Sequence, residues 1–340
     1  MSQSSKYTQA GVDIDAGDRV KKQIAEMTRR TFTPRVLHRE GAFGALFSIT
    51  DLQMNKPVLV SSVDGVGTKI KVAVAYGRHR GIGADIVNHC IDDILTSGAK
   101  PLFFLDYFAC GKQHDDVVLQ LIDGMSSACQ EAGISLIGGE TAQMPDVYEA
   151  DDYDVAGTIV GVVDEESIID GRRIQPGDVL VGFPSSGLHT NGYTLARKVL
   201  LEEAALSLDS QPEGLPQPLG DELLTPHRSY LREVETLKSR IDIKGIAHIT
   251  GGGFEGNICR ILPDGCAARV DTRTWQPLPI FNLIQQKGAV ASGEMYRVFN
   301  MGIGLILMVS PGDAERIRQS YPETAIVGDI IAGAGVELVL

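Results

Sequence analysis

At 340 residues the chain exceeds the roughly 250–300 residues at which a single hydrophobic core stops growing, so two domains are expected. Hydrophobic residues at 43% and charged residues at 22% exclude a disordered polar chain. With 31 Lys and Arg against 44 Asp and Glu, the net charge of −13 argues against nucleic acid or an anionic membrane as partner, and an anionic substrate would need a local basic pocket.

The five cysteines (Cys90, Cys110, Cys129, Cys259, Cys266) form no C-x-x-C pair and are odd in number. A disulfide framework or zinc site is not expected, and a reducing cytoplasm fits. The first twenty residues hold no continuous apolar run, so no signal peptide is expected, and no stretch reaches the roughly 18 apolar residues of a membrane span.

In chain order, the dense β-branched run 58–63 predicts a strand, followed by the glycine-rich segment Asp64-Gly65-Val66-Gly67-Thr68-Lys69. The apolar stretch from Ile70 to Ala75 reads as helical. Over 81–97 a wheel of about 100° per residue puts Ile86, Val87, Cys90, Ile91, Ile94 and Leu95 on one side. Asp85, Asn88, His89, Asp92 and Asp93 share the other side, and such charged stripes are usually solvated faces. Residues 102–108 predict a buried strand interrupted by Asp106, 115–132 a helix stopped at Gly133, and 134–137 and 155–163 further strands. The turn-rich stretch 164–178 places a boundary near its start, giving domains 1–165 and 166–340. Beyond it we expect a strand at 179–183, a helix at 193–205, a proline-rich loop at 207–222, a strand at 246–250, a helix at 255–262, a strand at 302–309 and a helix at 312–319. The alternation predicts α/β (α+β) architecture in two mixed domains.

Five segments carry candidate chemistry. In Asp64–Lys69, Gly65 and Gly67 let backbone amides approach a ligand, Thr68 and Lys69 add a hydroxyl and a point charge suited to phosphate, and Asp64 offers oxygens to a hard cation such as magnesium. Its spacing is not G-x-x-x-x-G-K-[ST], and alone it reads equally as a tight turn with an exposed lysine. Asp93 opens Asp93-x4-Gly98-Ala99-x-Pro101 at the end of the predicted helix, where a carboxylate can reach a metal held by a neighbouring loop. Gly138-Gly139-Glu140-Thr141 is read as a loop after a strand, with Glu140 a metal or positioning group. Ser185–Tyr193 opens a helix and contains His189, which titrates near neutrality, and Asn191. His248-Ile249-Thr250-Gly251-Gly252-Gly253 is a further glycine loop whose amides suit a phosphate monoester. Gly41–Phe47 is a sixth small-residue segment, read as an ordinary connection.

Taken together these segments resemble the phosphoribosylformylglycinamidine cyclo-ligase (aminoimidazole ribonucleotide synthetase) family. The resemblance runs from Tyr7–Ile14 through Asp64–Lys69, Asp93–Pro101, Leu102–Tyr107, Gly138–Thr141, Tyr153–Gly157, Ser186–Tyr193, His248–Gly253 and Glu294-Met295-Tyr296-Arg297 to Phe299–Gly304. It implies a homodimer with nucleotide near its interface. The N-terminal domain would form the dimer and much of the ATP site, and the C-terminal domain would contribute to the substrate site. The implied reaction uses ATP to phosphorylate the formyl oxygen of formylglycinamidine ribonucleotide, after which the imidazole ring closes. On that reading Lys69, Thr68 and the Gly65 and Gly67 amides meet the triphosphate. Asp64 and Asp93 hold magnesium with Glu140 in support, Asn191 and Gly251, Gly252 and Gly253 contact substrate or phosphate, and His189 transfers a proton. His189, Lys69 and Asp93 are thus the expected catalytic set.

Four positions depart from the family pattern: Asp92 stands where asparagine is common, Gln143 where glutamate is, Thr190 replaces a usual serine, and Ala25 falls where many members carry lysine, with Lys21 and Lys22 about one turn away. The same architecture resembles enzymes that make selenophosphate, phosphorylate thiamine monophosphate or assist hydrogenase maturation. A selenophosphate enzyme is expected to carry a reactive cysteine near its start, whereas the first here is Cys90. A non-catalytic nucleotide sensor is the remaining alternative, though it would tend to lose the carboxylates that Asp64, Asp93 and Glu140 supply.

Overall fold

The computed structural model describes residues 14–37, 44–50 and 52–340, with side chains from Val20 onward. Residues 41–43 of the small-residue segment and 7–13 of the first resemblance motif lie outside the described residues. The contacts divide the chain into two units, 1–91 with 101–164, and 92–100 with 165–340. Each is an α/β assembly, as expected. The short 92–100 excursion was not foreseen, because hydrophobic periodicity gives no sign that a helix changes neighbours partway along.

The first unit contains α1 (Ile14–Arg29), β1 (Pro57–Gly65), α2 (Lys69–Tyr76), α3 (Arg80–Leu95), β2 (Lys100–Cys110), α4 (Asp115–Ala132), β3 (Ser135–Gln143) and β4 (Tyr153–Asp164), with the tail of α3 belonging to the second unit. Its four-stranded sheet has the order β1-β4-β2-β3. β1 and β4 pair antiparallel from Pro57 opposite Asp164 to Gly65 opposite Ala156. β2 and β3 pair parallel, with a bulge at Phe104/Leu105. The predicted apolar side of α3 is buried at Ile86, Val87, Cys90 and Ile91. Gly83 on α3 and Gly124 on α4 let the two backbones nearly touch: a β-carbon at Gly83 would overlap the Leu121 carbonyl, and one at Gly124 the Arg80 carbonyl. α4 stops where predicted, at Gly133 in the left-handed conformation (φ 68°).

Two readings need correction here. The polar side of α3 is not a solvated face: Asp85, His89 and Asp92 are all buried. They are kept there by specific partners rather than by water. Gly138–Thr141 is not a loop after a strand either. It continues β3, with Gly139 opposite Asp106 and Glu140 opposite Tyr107, and the register shift falls on β3, where Ile137 is the extra residue.

The second unit contains β5 (Val179–Pro184), α5 (Tyr193–Arg197), α6 (Leu219–Leu223), α7 (Leu231–Lys238), β6 (Gly245–His248), α8 (Gly253–Ile258), β7 (Cys266–Asp271), α9 (Pro279–Gly288), α10 (Ser292–Val298), β8 (Ile303–Val309), α11 (Pro311–Ser320), β9 (Ala325–Ala332) and β10 (Gly335–Val339). Its six-stranded sheet has the order β10-β7-β9-β5-β8-β6. β8 is buried at every residue and lies between β5 and β6, antiparallel to both. The helix expected over 193–205 passes into a π-helical turn at Lys198–Glu203. The loop expected over 207–222 already contains the start of α6. Among the described residues no helix is long and apolar enough to cross a membrane.

Candidate functional site

In the first unit, β1 delivers Asp64 and Gly65 to a turn that ends at the start of α2. The Gly65 N–H donates to Asp64 Oδ1 at 2.7 Å, and His89 Nε2 from α3 lies 2.7 Å from Asp64 Oδ2. Gly67 takes a positive φ of 70°, which a glycine adopts without steric cost, and Thr68 occupies the N-cap position of α2 without a side-chain cap. The turn thus holds a half-exposed carboxylate, clamped by a histidine, next to small residues.

Lys69 behaves differently from the expectation. It is the first residue of α2, is fully buried, and its Nζ sits 2.8–2.9 Å from both carboxylate oxygens of Asp85. Burial pushes its ammonium below the ordinary value, and the Asp85 charge opposes that shift. The lysine read as exposed on a loop is therefore one half of an internal ion pair, which the helical spacing of Asp85 on α3 makes available. Glu140 is exposed on β3. Beside it, a β-carbon at Gly139 would overlap the Asp106 carboxylate, whose pKa is pushed up to about 7 by lost hydration.

In the second unit a polar cluster gathers around three histidines. His189 is buried and sits at φ 62°, an uncommon backbone for a non-glycine residue. Its Nε2 accepts the Ser186 N–H at 3.2 Å, and its ring stacks on His227 at 3.9 Å. His227 Nδ1 donates to the Arg228 carbonyl at 2.8 Å, and its Nε2 meets His248 Nε2 at 3.2 Å. His248 Nδ1 is 3.0 Å from Asp93 Oδ1. Asp92 Oδ1 accepts the Tyr230 N–H at 2.9 Å, while Oδ2 lies 3.5 Å from His227 Nδ1. Burial raises the Asp92 carboxyl well above the usual carboxylate range, with the Tyr230 hydrogen bond opposing the shift. Two expected residues, His189 and Asp93, thus meet through His227 and His248. Sequence reasoning passed over His227 because it follows a proline-rich segment with no periodicity. It also set Asp92 aside as an ordinary stripe residue.

Next in the same unit is a groove of about 750 Å³ lined by Gly192, Gly251, Gly252, Gly293, Glu294, Arg297 and Val298. That volume suits a small-molecule ligand. Gly251 and Gly252 were expected to contact ligand. The Asn191 side chain packs beside them, its Oδ1 lying 3.3 Å from where a Gly251 β-carbon would be. Gly253 instead packs on backbone: a β-carbon there would overlap the Tyr296 carbonyl, and its φ is 63°. Arg297 went unassigned, although it ends the Glu294-Met295-Tyr296-Arg297 segment.

Comparison with known proteins identifies the family of the chain. The family model described as AIR synthase related protein, N-terminal domain, matches residues 46–163, and the corresponding C-terminal domain model matches 175–340. The phosphoribosylformylglycinamidine cyclo-ligase of Geobacillus thermodenitrificans (strain NG80-2) is 48% identical over 334 residues, covering 97% of this chain and 96% of that protein. The protein of the same name from Myxococcus xanthus (strain DK1622) is 49% identical over 333 residues with the same coverages. Among solved structures, thiamine-monophosphate kinase from Stenotrophomonas maltophilia K279a aligns with a TM-score of 0.69 at 19% identity, covering 93% of this chain and 94% of that one. The hydrogenase maturation protein HypE in complex with ATP aligns at 0.66 and 18%, covering 92% and 86%. These structures share the fold. Near-half identity along almost the whole length, through both domain models, goes further: the chain belongs to the phosphoribosylformylglycinamidine cyclo-ligase family, an ATP-using family.

Proposed function

We propose that this protein converts formylglycinamidine ribonucleotide and ATP into 5-aminoimidazole ribonucleotide, ADP and phosphate, a step of de novo purine biosynthesis. The observation that carries the reading is the 48–49% identity to cyclo-ligases across both units. In the proposed sequence the formyl oxygen attacks the γ-phosphorus of ATP and ADP departs. The ring nitrogen then adds to the activated carbon, the phosphorylated oxygen leaves as phosphate, and the nitrogen loses a proton. Phosphorylation turns a poor leaving oxygen into a good one, so the protein's task is mainly positioning and charge neutralisation.

The donor chemistry near Asp64 suits magnesium: it is a hard carboxylate, held in place by the Gly65 amide and His89 rather than left to swing. Asp64 and Asp93 are the proposed ligands, with Glu140 in support. The ion would neutralise phosphate charge. The Gly65 and Gly67 amides with Thr68 are proposed to meet the triphosphate. Lys69, being paired with Asp85, is proposed to act by fixing the start of α2 and hence the turn before it. His189 is the candidate for proton transfer. Its role would be to take up the proton that the ring nitrogen loses, which requires its Nε2 to release the Ser186 N–H.

The first unit is proposed as the dimerisation domain. Leu59 and Val63, four residues apart on β1 and so on one face, are 61% and 68% exposed. All five cysteines are free thiols, which fits the proposed cytoplasmic setting. The test is a turnover assay with magnesium: ADP, phosphate and the amino-imidazole should appear in equal amounts and only when formylglycinamidine ribonucleotide is present. Folded protein that forms no product refutes the proposal.

A further inference from the structure

We infer that Asn300 is a positioning residue for His189: it holds the residues on either side of Ser186 and so fixes the backbone N–H that meets His189 Nε2. The inference rests on the proton-transfer role proposed above for His189 and names the group that keeps that histidine in place.

Asn300 lies between α10 and β8 and is buried. Its Oδ1 accepts the Ser185 hydroxyl and the Gly302 N–H, each at 2.9 Å, and its Nδ2 donates to the Gly187 carbonyl at 2.9 Å. Two donors facing the oxygen and a carbonyl facing the nitrogen settle which way the amide points. Ser185 and Gly187 flank Ser186, whose N–H is donated to His189 Nε2 at 3.2 Å. With both neighbours tied to one planar amide, the Ser186 peptide has little freedom to turn that N–H elsewhere. The His189 ring can then leave it only by its own movement, from a fixed starting point. The Ser186 hydroxyl adds a bond to the Pro226 carbonyl, next to the His227 whose ring stacks on His189.

The far end of the same segment is gripped by the preceding residue. A β-carbon at Gly192, which has a φ of 79°, would overlap the Phe299 ring. Residues 299 and 300 thus seat both ends of the segment that carries His189. His189 itself sits at φ 62°, which a non-glycine residue keeps only where its surroundings outweigh the strain. β5 and β8 pair through main-chain bonds, and the Ser185 N–H extends that pairing to the Gly302 carbonyl without the Asn300 amide. The bonds from Asn300 to the Ser185 hydroxyl and the Gly187 carbonyl serve the loop instead.

The test uses full-length protein with Asn300→Leu, which keeps the shape of the side chain and removes all three bonds, and Ser185→Ala, which removes one. In protein carrying isotope-labelled histidine, the Nε2 NMR resonance of His189, assigned by its loss in His189→Gln, should move in both variants and further in Asn300→Leu. In turnover, Asn300→Leu should lower kcat about ten- to hundredfold, the effect of a slightly misplaced catalytic group, while leaving the KM for ATP within about twofold. Ser185→Ala should lower kcat less. In a His189→Ala background, Asn300→Leu should lower kcat by no more than about twofold further, because the group it positions is gone. A role in stability alone would reduce turnover by the same factor in both backgrounds. An unmoved His189 resonance overturns the inference, as do losses that multiply with that of His189→Ala. Should Asn300→Leu fail to fold, Ser185→Ala decides by the same two readings. Moved resonances in a protein whose parent shows no turnover would uphold the pinning and defeat the proposed reaction. Turnover with an unmoved resonance would do the reverse.

Discussion

Lys69 shows how far a residue's neighbours decide its meaning. The glycines just before it made it read as a phosphate-contacting cation, yet it pairs with Asp85 with both side chains fully buried. Lys69→Ala should therefore destabilise the protein by about 3–5 kcal/mol, because it strands a buried carboxylate. Urea unfolding measures this, and Lys69→Met combined with Asp85→Leu should regain much of the loss. A Lys69→Ala variant as stable as the parent would contradict the pairing. Asp106 gives a second prediction. Its folded-state pKa of about 7 lies above the unfolded carboxylate value, so the folded form retains a proton that the unfolded form has already lost. Its contribution to stability consequently falls as pH rises from about 4 to 7 and is flat above. Asp106→Asn should gain stability relative to the parent between pH 5 and 7.5 in paired denaturant titrations. Equal differences at both pH values would count against the raised pKa. The Asp64 and Asp93 carboxylates could be singled out in the sequence because they lie near the ends of β1 and α3, beside glycine-containing segments. His227 and Arg297 were not, since neither glycine spacing nor periodicity points to them.

Among the elements, α3 matters most, since it carries Asp85, His89, Asp92 and Asp93. Its apolar side was readable from the 3.6-residue period, but the burial of its polar side was not. A period reports which side of a helix prefers oil, and says nothing of carboxylates and imidazoles that are buried with partners from distant segments. The position of α3 depends on the Gly83–Gly124 crossing. Gly83→Ala should cost about 1–3 kcal/mol or more by overpacking, and by displacing α3 it should also lower kcat/KM. Thermal melts and turnover on one preparation check both effects, and a variant with native Tm would show that the crossing has slack. Strand β3 teaches the complementary lesson. Glycines after four strand-like residues read as a turn, whereas the parallel pairing with β2 carries the strand through them. A strand's end is set by its neighbour as much as by its own residues.

At the scale of the whole molecule, two α/β units and the family itself were legible because motif order and spacing extend over nearly the entire chain. The strands left unassigned in the sequence, β7, β9 and β10, form one side of the second sheet. Their short apolar runs do not by themselves separate helix from strand. The apolar surface on β1 leads to a prediction at this level. Sedimentation equilibrium should find a dimer, and replacing Leu59 and Val63 together by lysine should yield a folded monomer. A double variant that sediments as the parent does would place the contact elsewhere.

The chain has one tryptophan, Trp275, whose indole N–H donates to the Met301 carbonyl and whose ring lies against Phe254 and Tyr296, all within the second unit. Indole emission consequently witnesses the melting of that unit alone, while far-ultraviolet circular dichroism sums the helices and strands of both. Should the two units lose structure at different denaturant concentrations, the optical signals will separate, and a single unfolding free energy will no longer describe the molecule.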